Sequence, residues 1–170
     1  MKKILLTIVL FAGIAWSAQA QRFCIVDMDY ILSKIPEYEQ AQEQVNTLAA
    51  TWKSDIDLQF QNVEKAYQKF QAEQVLMTEQ MKQQKIDEIE ALERAAKEMQ
   101  KEKFGPDGEL FKKRQELIKP IQDRIYEKIE LYAKDKSYEA IFDKASSGMG
   151  ILFFGDRLDK SEDILRSLGY

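Results

Sequence analysis

From Glu37 to Lys136 the chain is one long run of charged, amide and apolar residues, and its only glycines are Gly105 and Gly108, in the stretch Gly105-Pro106-Asp107-Gly108. No other feature limits the fold as much. Tyr38, Ala41, Val45, Leu48, Trp52, Ile56, Phe60, Val63, Tyr67 and Phe70 follow one another at steps of three and four. The mean step of about 3.6 is that of an amphipathic α-helix, straight or gently supercoiled, rather than of a strict long coiled coil. Pro36 suits the first turn of this helix, where its missing N–H is no loss. After the interruption the rhythm returns in Phe111, Leu117, Ile118, Ile121, Ile125, Ile129 and Tyr132. The middle of the chain therefore reads as two helical legs packed on each other.

The flanks have another style. "RFCIVDMDYIL" predicts a strand from Arg22 to about Asp27, then one or two helical turns capped by Asp29. At the other end, two apolar runs, Tyr138 to Phe142 and Ile151 to Phe154, are separated by "SSGMG" and predict two more strands. A closing helix follows, with Asp159 and Glu162 at capping-box-like spacing and Gly169 at its C-terminal end. The expected class is mainly α with a small β body: residues 21–36 and 137–170 form the body, and 37–136 form a long antiparallel helical hairpin arm. A three-stranded body of this size cannot bury a sufficient core alone, so oligomerisation is expected.

Strands on both sides of the arm belong to one body, so the legs must leave and return at nearly the same place. A tip at Gly105–Gly108 would set an outgoing leg of roughly 100 Å against a return of roughly 42 Å, at 1.5 Å per helical residue. A tip within "MTEQMKQQK", Met77 to Lys85, makes the legs roughly 65–75 Å each, and Thr78 can cap the second helix. Gly105–Gly108 is then an interruption of the returning leg. Inside a helix Pro106 would cost about 3 kcal/mol and each glycine about 1 kcal/mol, so the stretch is expected to bulge as a turn centred on Pro106 and Asp107. Pro120 is expected to add a kink nearer the body.

The N-terminus carries Lys2-Lys3, an apolar run from Ile4 to Trp16, and Ala18 and Ala20 in A-x-A arrangement. That is a secretory signal peptide, residues 1–20, cleaved after Ala20. The apolar run is shorter than the roughly 20 residues of a spanning helix, and Cys24 does not directly follow the cleavage site, so neither stable membrane insertion nor a lipid anchor is expected. Loss of Lys2 and Lys3 leaves 23 basic against 29 acidic residues, a net charge of −6, which gives no footprint for nucleic acid. Cys24, in "FCIV", reads as a buried small hydrophobe.

Histidine is absent, which removes Ser-His-Asp and Cys-His chemistry and the commonest metal ligand. The carboxylate pairs Asp27/Asp29 and Asp55/Asp57 lie beside a strand end or on a helix full of solvated charge. "SSGMGILFFG" lacks a phosphate-loop lysine and precedes a strand. Neither enzyme activity nor a cofactor is expected, and what remains is an interaction protein with long arms. Trp52, Phe60, Tyr67, Phe70, Phe104, Phe111, Tyr126 and Tyr132 are more aromatics than one two-helix seam requires. Packing accounts for most of them singly; as a set, some are expected to face outward or into a cavity.

The order and spacing of "FCIVDMDYIL", the helical middle, "LIKPIQDRIYEKIELYAKDKSYEAIFDKAS" and "DKSEDILRSLGY" resemble the Skp/OmpH family of periplasmic chaperones over essentially the whole exported chain. The resemblance implies a homotrimer in which strands of three chains form a small β-barrel and three hairpins hang from it around a cavity. It also implies an ATP-independent holdase of the periplasm whose partners are unfolded outer-membrane proteins. On that reading Phe23, Cys24, Val26, Ile141 and Phe153 belong to the trimer body, and Trp52, Phe60, Tyr67 and Phe70 are the candidate client-binding residues. Better-known members have strongly basic arms, whereas Met77 to Lys101 holds five basic and six acidic residues, so no lipopolysaccharide site carries over. The alternative is a passive spacer or adaptor docking to one fixed partner. Such a site calls for a compact exposed apolar cluster at the tip, where "MTEQMKQQK" offers only Met77 and Met81.

Overall fold

The structure, a computed structural model, describes residues 22–146, 148 and 152–170. The expected signal peptide, Ile151, and Ser147, Met149 and Gly150 of the Ser/Gly turn lie outside them. The chain divides into two compact units, one of residues up to 34 together with 125–170, the other of residues 35–124.

In the first unit, β1 (Phe23–Val26) pairs in parallel with β2 (Ala140–Asp143), in register from Phe23 opposite Ala140 to Val26 opposite Asp143. Glu139 N–H donates to the Arg22 carbonyl at 2.8 Å and Lys144 N–H to the Val26 carbonyl at 2.9 Å, closing both ends of the ladder. A parallel pair requires a long crossover, and here the whole of residues 27–139 supplies it. On the other edge of β1 lies a single parallel bridge from Ile25 to Asp159, with Lys160 N–H donating to the Ile25 carbonyl at 2.8 Å. The strand expected over 151–154 is not formed at Leu152–Phe154. Leu152 and Phe153 are almost wholly exposed, and they pair with no strand among the described residues.

Helix α1 (Met28–Ser33) begins immediately after β1. Its cap is Asp27, not Asp29: Asp27 has extended backbone and its Oδ1 accepts from Tyr30 N–H at 2.8 Å, which places Asp29 in the first turn. The closing helix α6 (Ser161–Leu168) does not use an Asp159–Glu162 capping box either. Asp159 Oδ1 instead accepts from the Ser161 amide at 2.9 Å and hydroxyl at 2.6 Å, while Glu162 accepts from the Tyr30 hydroxyl. Gly169 ends the helix in the left-handed region, φ 96°, as expected. Cys24, Ile25 and Val26 of β1, Ile31 and Leu32 of α1, and Ile164 and Leu165 of α6 are buried. Burial pushes the Cys24 thiol up to about 11, partly offset by Lys160, so it stays protonated at neutral pH.

Lys144 ties the ends of this unit together, its Nζ lying 3.2 Å from Asp27 Oδ2 and 3.0 Å from Asp159 Oδ2. Burial works to raise the Asp159 carboxyl, but the Ser161 hydroxyl and amide and the Lys144 ammonium outweigh it and hold it below its ordinary value. A depressed folded-state carboxyl contributes stability above its unfolded pKa, about 3.9, that is lost as pH falls through the folded value. The midpoint of thermal unfolding is therefore expected to drop below about pH 4. Asp159→Asn should lower stability at pH 7 and flatten that acid limb; an unchanged acid limb in calorimetry would remove Asp159 from the account.

The second unit is the hairpin. Helix α2 (Pro36–Glu73) starts with Pro36 at its first position, and α3 (Glu79–Phe104) and α4 (Glu109–Leu117) return against it. Between α2 and α3 lies one 3₁₀ turn, Gln74–Leu76, and Thr78 Oγ1 accepts from Met81 N–H at 3.3 Å as the cap of α3. Thr78 does cap the returning helix, but the reversal at Gln74–Leu76 comes just before the expected Met77–Lys85 window. Helix α2 spans about 57 Å, and α3 with α4 about 52 Å, at 1.5 Å per residue. At the near end Ala41, Val45 and Ile118 form a buried cluster with Tyr38, Leu110, Leu117 and Ile121 packed on it.

Gly105–Gly108 is a turn within the returning leg. Gly108 N–H donates to the Gly105 carbonyl at 2.9 Å, with Pro106 and Asp107 as the central residues, and Lys112 N–H then donates to the Gly108 carbonyl at 3.1 Å to begin α4. Pro120 does more than kink a helix. It sits in the first turn of a new one, α5 (Lys119–Lys136), separated from α4 at Ile118, because a residue without an N–H is tolerated there and not in a helix interior.

Candidate client-binding surface

The four candidates on α2 do not share one environment. Trp52 is half-buried, with the Phe104 ring edge-on at 6.5 Å and 85°, and Lys103 Nζ 5.3 Å from its centroid. Lys103 is itself fixed by Glu109 at 2.7 Å across the Gly105–Gly108 turn. The hydrogen bond from Glu109 raises the lysine above its ordinary value, and the reciprocal bond lowers the Glu109 carboxyl. Trp52 thus belongs to a built contact between the legs. Phe60 and Phe70 are half-buried along the same helix, and Tyr67 is 48 % exposed. These three present partial ring surfaces spaced along one leg instead of converging on a pocket.

Other apolar groups join them. Leu58 on α2, Ile86 and Phe104 on α3 and Phe111 on α4 are all exposed. The Gly105–Gly108 turn opens a groove of about 670 Å³, but Glu98, Lys101, Glu102, Glu109 and Lys112 line it together with Pro106, so its walls are charged and offer little to an apolar chain. Among the described residues no group of three or more acidic or cysteine side chains is placed to hold a metal ion.

The largest apolar exposure on the hairpin is at its tip: Val75 is 85 % and Leu76 90 % exposed, with Met81 exposed and Met77 half-buried beside them. Sequence reasoning passed over Val75 and Leu76 because it placed the reversal too late. A signal was available: from Phe70 the three-and-four rhythm steps to Gln74 and Met77, which leaves Val75 and Leu76 as two adjacent apolar residues off the seam.

In the first unit, Cys24 and Val26 are buried, Ile141 is half-buried, and Phe23 is partly exposed with its ring edge-on to Phe142 at 5.9 Å. Phe153 is 87 % exposed. Tyr132, counted with the arm aromatics, belongs to this unit. It stacks on Tyr138 at 6.0 Å and donates to Asp163 Oδ2 at 2.9 Å, and burial followed by that bond raises its phenol. Tyr126 is exposed.

The family described as "Outer membrane protein (OmpH-like)" matches residues 22–168. An uncharacterised protein of Aquifex aeolicus (strain VF5) is 27 % identical over 168 residues, covering 99 % of this chain and 96 % of its own. The crystal structure of a candidate OmpH-like outer membrane chaperone from Caulobacter crescentus CB15 superposes with a TM-score of 0.64 at 9 % identity, over 86 % of this chain and 82 % of that one. It shares the fold, while the match across nearly every described residue is what assigns the lineage: the chain belongs to the OmpH-like family.

Proposed function

We propose that this protein is an ATP-independent holdase of the periplasm that keeps unfolded outer-membrane proteins from aggregating between the helical arms of a homotrimer. Membership of the OmpH-like family and the chaperone named among its structural relatives support the class. The observation that carries the mechanism is the spread of partly exposed apolar groups along both legs, Leu58, Tyr67, Ile86, Phe104 and Phe111. Shallow burial of about 40 Å² per group is worth about 1 kcal/mol. Several such contacts hold a flexible chain, and each releases readily, so no nucleotide is needed.

Charge supplies no long-range pull on an acidic client, because the arm itself sums to −4. The test dilutes a urea-unfolded acidic β-barrel protein into buffer with the exported protein and follows light scattering and affinity from low to high salt. Protection should persist and binding should stay constant or strengthen slightly with salt. Combined Phe60→Ala, Tyr67→Ala and Phe70→Ala should weaken binding by about tenfold or more. A steep loss of affinity with added salt would move the binding energy to charge pairing.

The adaptor reading has one observation in its favour, the compact apolar tip at Val75 and Leu76. It calls for a single partner and no protection of diverse unfolded chains, which the same dilution assay separates.

A further inference from the structure

Turns between solvated helices are ordinarily built from Gly, Asn, Asp, Ser or Pro. Here the reversal is Gln74-Val75-Leu76-Met77-Thr78. Its backbone asks for no special residue, since Gln74 lies at φ −56° and Met77 at φ −93°, values that any polar residue adopts. Val75 and Leu76 nevertheless stand in solvent at 85 % and 90 % exposure, with Met81 exposed one turn into α3. They contribute nothing to the packing of the hairpin.

We propose that the tip is a membrane-contact element that inserts shallowly and reversibly into a lipid bilayer surface, with Val75 and Leu76 among the acyl chains. Three features favour lipid over a protein surface. Consecutive residues of a 3₁₀ turn diverge by about 120°, so one flat protein face cannot cover both side chains, whereas a fluid apolar medium surrounds them whatever their direction. The apolar end is small, well short of the ~800 Å² per partner of a specific protein interface, which disfavours a second copy. Directly behind it Gln71, Gln74, Gln80, Gln83 and Gln84 are amides suited to the headgroup layer.

Charge fixes the kind of surface. Of the lysines nearest the tip, Lys82 pairs with Glu79 and Lys85 with Glu88, each at 2.6 Å, and Lys69 on α2 lies in the field of the same Glu88. No cationic collar is therefore left to select anionic lipid, and insertion rests on apolar burial. It should proceed on zwitterionic bilayers and depend little on salt. This contact is separate from client holding, which uses the legs.

The test is flotation of the chain from Gln21 onward, which holds every described residue and lacks the apolar run of the signal segment, with phosphatidylcholine vesicles. The expected result is co-flotation that Val75→Asp with Leu76→Asp lowers at least tenfold, with unchanged helical circular dichroism and unchanged sedimenting mass. Addition of anionic lipid or of salt should alter the bound fraction less than twofold. Failure of the unsubstituted chain to float overturns the proposal, as does flotation of the doubly substituted chain at the original level. Flotation that needs anionic lipid and vanishes in salt overturns it in favour of charge. A photo-crosslinker at position 76 that reacts with one envelope protein while the chain ignores vesicles overturns it in favour of a protein socket.

Discussion

Truncation of Ile164 to alanine is expected to destabilise the first unit by about 2–5 kcal/mol. Its side chain is wholly buried on the eight-residue helix α6, which packs against α1, where Ile31 and Leu32 are also buried. So short a helix has little stability of its own, and its hold on the unit rests on Ile164, Leu165, the buried Ser161 and the hydrogen bonds Tyr132–Asp163 and Tyr30–Glu162. Phe153→Ala supplies the contrast. Phe153 is 87 % exposed within one chain, so on its own account the change should stay within about 0.5 kcal/mol. In the proposed homotrimer, where that ring is covered by neighbouring chains, its loss becomes a loss of assembly. Sedimentation equilibrium should give three times the chain mass, and Phe153→Ala should shift it towards one at micromolar concentration. Ile164→Ala should melt earlier at every concentration, Phe153→Ala only where dilution matters. A folded monomer before any substitution would remove the trimer.

The legs were legible because burial in a two-helix seam repeats with the helix itself. Ala41, Val45 and Ile56 of the expected series are buried, and Trp52, Phe60, Val63 and Phe70 are half-buried. The interruption at Gly105–Gly108 was legible for the opposite reason, since Pro106 and two glycines contradict a helix whatever surrounds them. The reversal at Gln74–Leu76 carried no such mark. A 3₁₀ turn needs neither glycine nor proline, and matching the leg lengths located it only to within several residues. Asp27 and Asp29 stand two apart and either can cap a helix; the choice depends on where β1 releases the chain, at Val26. In the same way Asp159 bonds to Ser161, two residues on, and to Lys144; what draws both into place are the Lys144 contact and the Asp27 amide that donates to the Ser161 hydroxyl, tertiary contacts that no local spacing encodes.

The surface was legible only in part for a related reason. A stripe of aromatics states that something is buried but not by what, and Trp52 turned out to face Phe104 and Lys103 across the hairpin. That contact depends on the turn that follows it. Lys103 reaches Glu109 only because Gly105–Gly108 folds the chain back within six residues, so the position of the Trp52 ring is coupled to two glycines some fifty residues away in sequence.

Gly105→Ala and Gly108→Ala are therefore expected to cost about 1–3 kcal/mol each, although backbone preference alone predicts the opposite. Both residues have φ near −65° and extended ψ, with Gly105 at −63°, 170° and Gly108 at −71°, 175°. Alanine adopts that conformation freely and would ordinarily stabilise by about 0.4–1 kcal/mol through a less disordered unfolded chain. Close approach decides the sign. A Cβ on Gly105 would stand 2.4 Å from the Lys101 carbonyl oxygen, and one on Gly108 would meet the Glu102 carbonyl at 2.8 Å and both the Gly105 nitrogen and the Lys103 carbonyl at 2.9 Å. All of these are backbone atoms, so no side chain can swing away, and relief has to come from opening the last turn of α3. Gly155→Ala, with nothing within 4 Å of its Cβ, is the control and should be neutral or slightly stabilising. Trp52, the only tryptophan from residue 21 onward, reports the event directly in that segment: its fluorescence should shift in Gly105→Ala and Gly108→Ala as Lys103 and Phe104 move, and hydrogen exchange at Gly105, Gly108 and Lys112 should accelerate. If both variants unfold at the denaturant midpoint of the unsubstituted chain with unchanged Trp52 emission, close backbone approach is not what keeps glycine in this turn.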